Sequence, residues 1–382
     1  MIFVCLSHFG EAYLRPNGAW SSLWRVYHVT MIASPTFMIV SGMMLGLLYR
    51  THRERFRGIQ EKLIDKGIFL LTVGRLLILV AHVPLAGGLH GALRWGFITD
   101  AIGVNVIVGS LLIPRVSPAG RIGLGTGAFA LSWAMIIFWH PHNLGLGMLR
   151  GALAGELSPS DPMVYADVFP LLPWFGLYLC STCLGERLAD EAATHGHQAA
   201  NLFLRLGVLC GALAVALRLG WAVSKRWGLV ADSSFGWQHL FQPAQKLPPS
   251  PVYLLLYGGA GLILTGSLFF AEHWQPIDWF LQLTSQMGQT SLFVFIFQYF
   301  VYFSFLVMAA PAYSPFWPAY FVASLLVVVS VDQLWYRKSL NRLLTVAPVL
   351  SPDWLLPRTK GGPSPILDRS RIEEGPRGHA AA

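Results

Sequence analysis

The chain has 382 residues, 54% of them hydrophobic, 13% aromatic and only 12% charged, and its mean hydropathy is +0.53. That is more apolar surface than a soluble core of this length uses, so a water-soluble globular protein is excluded and an all-α, polytopic membrane helix bundle is expected. The formal charge of +8 comes from 27 Lys and Arg against 19 Asp and Glu. The basic residues flank apolar runs, which suits lipid headgroups and topology and argues against a nucleic-acid partner.

Apolar runs of roughly span length predict about ten transmembrane helices, near 1–14, 29–49, 63–83, 95–114, 121–140, 165–185, 200–223, 250–271, 290–310 and 315–337. The first run is short for a crossing, so the natural start is expected upstream of Met1. No basic lead or small-residue cleavage site marks a signal peptide. After a polar loop comes Ser34-Pro35-Thr36-Phe37, and within the second run Gly42 and Gly46 form a G-x-x-x-G, whose expected use is close helix packing.

The loop after the second run holds Arg50, Arg53, Arg55, Arg57 and Lys62. The positive-inside rule makes that loop cytoplasmic, and with ten spans both termini as well, in a cell inner (plasma) membrane. Residues 1–337 form the membrane domain. From 338 to 382 the chain turns to Pro, Gly and mixed charge, a cytoplasmic and largely disordered tail.

Between these runs, 143–151 is glycine-rich, apolar and too short to span, hence interfacial or re-entrant. Cys180 and Cys183 form a lone C-x-x-C within an apolar run, a spacing read as small packing residues rather than a zinc or redox site. His140-Pro141-His142 and His82 have no carboxylate in regular register, so no metal is expected.

Polar residues inside spans are the functional candidates, because each costs free energy to bury. Counting about 1.5 Å of rise per residue from the outer ends sets His8, Arg75, Asp100 and Arg218 in one layer, with Asp167 and Lys246 at its outer edge. Arg75 and Asp100 are expected to pair across neighbouring helices. A snorkelling side chain explains Arg218, and hydrogen bonding between helices explains Gln298 and Asp332. His8 differs, because an imidazole can take or give a proton near neutral pH.

Four stretches carry a resemblance to a known family. They are His8-Phe9 with Ala33-Ser34-Pro35-Thr36-Phe37-Met38-Ile39-Val40-Ser41-Gly42; Phe169-Pro170-Leu171-Leu172-Pro173-Trp174-Phe175-Gly176; Lys246-Leu247-Pro248-Pro249-Ser250-Pro251; and Gly288-Gln289-Thr290-Ser291-Leu292-Phe293-Val294-Phe295. In order and spacing they resemble the heparan-α-glucosaminide N-acetyltransferase-like membrane acyltransferases, relatives of the acyltransferase-three and glucan-succinylating proteins, over most of 1–337. Two features depart from the pattern. No Asp-x-x-Arg-Gly precedes His8, and Gln298 stands where relatives typically show a histidine.

The resemblance implies transfer of an acyl group, acetyl by expectation, from a coenzyme A thioester to a hydroxyl or amine of a sugar or glycan. His8 would be the base or nucleophile, Arg75 the donor to the developing oxyanion with Asp100 beside it, and His28 a further catalytic candidate. Lys246, Asp167 and Gln298 are candidates for acceptor contacts, and Arg50, Arg53, Arg55 and Arg57 for the coenzyme A phosphates. The bilayer, the glycan and a second copy of the chain are the expected partners. Two other readings stay open: a proton-coupled transporter, which intramembrane Arg75, Asp100 and Asp332 would also suit, and a non-catalytic scaffold related to the acyltransferases.

Overall fold

A computed structural model describes residues 1–93, 95–156, 169–192, 196–228, 235–271, 275–309 and 312–346. In chain order the helices are α1 (Ile2–Phe9), α2 (Trp20–Thr30), α3 (Ala33–Thr51), α4 (Phe56–Phe69), α5 (Arg75–His82), α6 (Leu89–Leu93), α7 (Ile98–Leu112), α8 (Pro118–Phe138) and α9 (Leu144–Ala154). They continue with α10 (Leu171–Ala192), α11 (Gly196–Arg226), α12 (Phe235–Leu240), α13 (Pro251–Ala271), α14 (Gln275–Gln289), α15 (Ser291–Tyr299), α16 (Val307–Ala309) and α17 (Trp317–Arg337). Among the described residues there is no strand, only an isolated bridge between Lys246 and Pro249.

Each of the ten predicted runs contains a helix, and among the described residues seven stretches are long and apolar enough to cross a membrane: Trp20–Thr51, Leu89–Leu112, Pro118–Phe138, Gln198–Arg226, Pro251–Ala271, Ser291–Ala309 and Trp317–Arg337. The other three are the short Ile2–Leu14, the α4–α5 rod, whose first half is charged, and α10, which ends in Glu186, Arg187 and Asp190. The polar loop expected before the second span is a helix. Trp20, Leu23, Trp24 and Tyr27 recur at helical spacing, and α2 runs into α3 through right-handed backbone at Met31 and Ile32. His28 is therefore a helix residue, not a loop residue. The α9 helix is capped at both ends: Asn143 Oδ1 accepts from Gly145 N–H at 2.8 Å, and Gly155 closes it with φ +91°.

Lipid gives helices no hydrophobic reason to associate, so close packing of small residues holds them. The G-x-x-x-G of α3 does this against α10: a side chain at Gly46 would collide with the Thr182 carbonyl, and one at Gly185 with that of Met43. Gly207 of α11 and Gly259 of α13 face each other in the same way, an added Cβ meeting the opposite carbonyl at 2.6 and 2.8 Å. The C-x-x-C thiols are free and face backbone carbonyls of α8, Cys183 Sγ lying 3.4 Å from Pro118 O. They are packing residues.

Three rods contain π-helical turns: Gly10–Leu14 directly after α1, Leu70–Gly74 between α4 and α5, and Phe300–Leu306 between α15 and α16. α1 is short but deeply held. Cys5, Phe9, Ala12, Tyr13 and Leu14 are buried; Phe9 packs on Phe321 of α17, and Tyr13 donates its hydroxyl to Ala312 O at 2.9 Å. The architecture described here belongs to one unit, Met1–Thr345. After α17 a 3-10 turn covers Leu340–Leu343, and 347–382, most of the expected tail, lie outside the described residues.

Candidate active site

The three π-containing rods meet around one cavity of about 560 Å³. π-Turns are rare and recur at functional sites, because each adds a residue and re-aims the side chains that follow. On the first rod, Ser7, His8, Glu11 and Arg15 lie close to one helical face, and all four line the cavity. The second contributes His82, the last residue of α5, and the third Tyr299 and Phe303. α2 supplies Trp20, Trp24 and Tyr27, while the far wall is Phe169 and Lys246.

His8 is held by aromatic rings, Tyr299 at 4.7 Å and Phe303 at 4.9 Å between centroids. Its Nδ1 is buried without a hydrogen-bond partner. His82 packs against the same aromatic pair, 5.1 Å from Phe303 and 6.4 Å from Tyr299, and lies 4.5 Å from Trp95 and 5.6 Å from Phe97. It is 2% exposed, and neither ring nitrogen has a partner. Lys246 lies over the Phe169 ring at 5.6 Å, in the segment that follows α12 and carries the cis Leu247-Pro248 bond. Glu11 is within 3.6 Å of Arg15. The charged side chains on the cavity are Lys246 and Arg15 against the one carboxylate of Glu11.

Of the residues singled out in the sequence, His8 and Lys246 line this cavity. Gln298 is fully buried and its side chain faces His8. Between helices, Gln298 interacts with His8 of α1 and Asp332 with Thr290 at the start of α15, though neither contact closes to a well-formed hydrogen bond. Arg75 and Asp100 form the expected ion pair, but one layer behind the cavity wall. The guanidinium reaches Trp95 O at 3.5 Å and lies 5.8 Å from the Phe97 ring centroid, and Asp100 Oδ2 accepts from Phe97 N–H at 3.1 Å. The pair thus braces the segment 95–97, which does line the cavity.

His28 points elsewhere, packed on Trp24 at 4.3 Å with its Nδ1 3.5 Å from the Tyr257 hydroxyl. Arg218 is not on the cavity: it is exposed and reaches the Phe241 carbonyl of the neighbouring segment at 3.4 Å. Asp167 lies outside the described residues. Arg50 sits at the other end of α3, about 30 Å of helix rise from Thr30 on the cavity wall, and pairs with Asp190 at 2.6 Å. Arg53 lies over the Tyr49 ring at 5.9 Å, Arg57 is 3.8 Å from Glu61, and Arg55 closes the short turn before α4.

Sequence reasoning missed His82, Glu11 and the aromatic partition of Tyr299 and Phe303. Glu11 was legible, three residues after His8 and so on its face. His82 was not. In the sequence it bears only on a metal site, and its place beside the cavity depends on the packing of α5 against the 95–97 segment and Phe303. Among the described residues no group of three His, Cys, Asp or Glu could hold a metal ion.

The model of one protein family, described as heparan-alpha-glucosaminide N-acetyltransferase, catalytic, matches residues 1–217. That stretch contains α1 to α10 and both histidines of the cavity. No curated protein matches the chain, and no solved structure matches it.

Proposed function

The chain belongs to the heparan-alpha-glucosaminide N-acetyltransferase catalytic family, and from that premise we propose that its cavity transfers an acetyl group from a coenzyme A thioester to a hydroxyl or amine of a sugar or glycan. One observation carries this reading: the half-buried imidazole of His8 lines a cavity large enough for a sugar ring, and its buried Nδ1 has no partner. A buried nitrogen without a partner costs about 1–3 kcal/mol, which a substrate hydroxyl or amine would offset.

In this mechanism the acceptor oxygen or nitrogen attacks the thioester carbonyl carbon. As the new bond forms, His8 takes the acceptor proton. The carbon–sulfur bond then breaks, the electron pair leaves with sulfur, and His8 returns the proton to the thiolate, giving acylated acceptor and free coenzyme A. The aromatic walls of Tyr299 and Phe303 exclude water from the imidazole, which favours transfer over hydrolysis. Lys246, on the cavity wall, would orient the acceptor, Gln298 would act through His8, and Trp20 and Trp24 offer apolar faces for a sugar ring.

The same reading assigns Arg50, Arg53, Arg55 and Arg57 to the cytoplasmic side, where coenzyme A is available, and to its phosphates. The acceptor then arrives at the opposite end of the bundle. Detergent-purified protein tests the reading: acetyl-CoA should raise the melting temperature and release thiol with glucosamine as acceptor, and His8→Ala should abolish thiol release while keeping the fold. A well-folded wild type that neither binds acetyl-CoA at millimolar concentration nor releases thiol would refute it.

A further inference from the structure

The oxyanion donor that acyl transfer requires is not Arg75, whose guanidinium is held by Asp100 and the Trp95 carbonyl behind Phe97. We infer that His82 is a second catalytic residue of the site: its imidazole donates the hydrogen bond that stabilises the negative oxygen of the tetrahedral intermediate, while His8 handles the proton. This assignment rests on the acyl-transfer reading above and deepens it.

Three observations carry it. His82 lines the same cavity as His8 but comes from a different rod. It is buried to 2% exposure, and both of its nitrogens lack a hydrogen-bond partner. A neutral imidazole carries one N–H donor and one acceptor, and a histidine needed only to fill space between Trp95, Phe97 and Phe303 would be better replaced by an apolar ring. The polar atoms are therefore unused by the fold, on a residue of the cavity wall.

The separation also fits. His8 and His82 lie 4.9 and 5.1 Å from the Phe303 centroid, so their own centroids are at most about 10 Å apart. A tetrahedral carbon bridging two hydrogen bonds of about 2.8 Å spans at most about 8 Å between the two nitrogens, a distance within that bound. In the step itself the acceptor adds to the carbonyl carbon, the carbonyl π pair moves onto oxygen, and the His82 N–H receives that charge without giving up its proton. Collapse of the intermediate restores the carbonyl and expels the thiolate. A preformed donor in a dry pocket is the arrangement that acts on the transition state and leaves the ground state little changed.

The test compares wild type, His82→Phe and His82→Gln for melting temperature, for its rise with acetyl-CoA, and for thiol release from acetyl-CoA with glucosamine. His82→Phe keeps the aromatic packing and deletes the donor. It should melt no lower than wild type, keep the acetyl-CoA shift, and lose about 100-fold or more in kcat. His82→Gln restores an N–H donor and should recover to within about 10-fold of wild type. Should the phenylalanine variant fail to fold, His82→Met takes its place.

Wild-type turnover in the folded Phe or Met variant would overturn the assignment. So would equal loss in the Gln and Phe variants, which would point to a proton-carrying role that glutamine cannot fill. A wild type without acyl transfer would overturn the acyl-transfer reading itself, a result separable from both.

Discussion

Replacing either member of the Arg75–Asp100 pair should cost more than removing both together warrants. The two side chains are 31% and 20% exposed, so the survivor of a single substitution is a half-dehydrated charge. Breaking a fully buried pair costs about 3–5 kcal/mol, and exposed pairs contribute about 0–1 kcal/mol. These exposures place Arg75→Met and Asp100→Asn near ~2 kcal/mol each. Asp100→Ala should cost about 1 kcal/mol more, because it also removes the acceptor for Phe97 N–H at the start of α7.

In the double variant Arg75→Met/Asp100→Asn no charge is stranded. A coupling of about 1–2 kcal/mol is therefore expected, the double variant being more stable than the sum of the singles predicts. Thermal unfolding in detergent followed by tryptophan fluorescence reads the series. Where unfolding is irreversible, inactivation half-lives at a fixed temperature replace midpoints. Because the pair braces the 95–97 segment and His82 packs on Trp95 and Phe97, the single variants should also lose turnover. Additivity within about 0.5 kcal/mol would refute the coupled ion pair.

Gly46→Leu should prevent α3 and α10 from closing and cost several kcal/mol or the folded protein itself, while Gly58→Ala, with nothing within 4 Å, should gain about 0.5–1 kcal/mol; equal melting points for the two would sink the packing account of α3. Arg121 is 1% exposed and bound to Glu186 and Thr182, each at 2.6 Å, so Arg121→Met should cost about 3 kcal/mol. Asp190→Asn, at the exposed Arg50 pair, should leave stability nearly unchanged, and chemical denaturation of both variants decides whether burial sets the difference. Gln298→Leu removes two unsatisfied buried atoms and should leave stability unchanged or raise it by up to about 1 kcal/mol. Under the acyl-transfer reading the same variant lowers turnover, because Gln298 faces His8; unchanged thiol release would remove it from the site.

How much was readable varied by element. The rods at 118–138, 251–271 and 317–337 agree closely with the runs read from hydropathy, because a lipid-spanning helix must be apolar along its whole length. The glycines of α3 were read as a packing motif for a local reason: where no Cβ exists, backbones approach. The pairing of Arg75 with Asp100 followed from the cost of leaving either alone. The family followed from four short motifs in order, and the matching family model covers 1–217.

Composition and period thus determined the membrane class, the helices and their close contacts, all of which depend on neighbours in sequence or on the solvent. The site depended on something else. His8, His82, Tyr299 and Lys246 come from four distant parts of the chain, and nothing local links them. Three π-turns also break the helical period, each added residue turning the following side chains by about 100°. Arg75 and His82 lie seven residues apart on one face of α5 and share that rotation; the fold of 95–97, which covers Arg75 and leaves His82 on the cavity, separates them. Only the tertiary structure carries that information, because it arises where three helices with shifted registers meet.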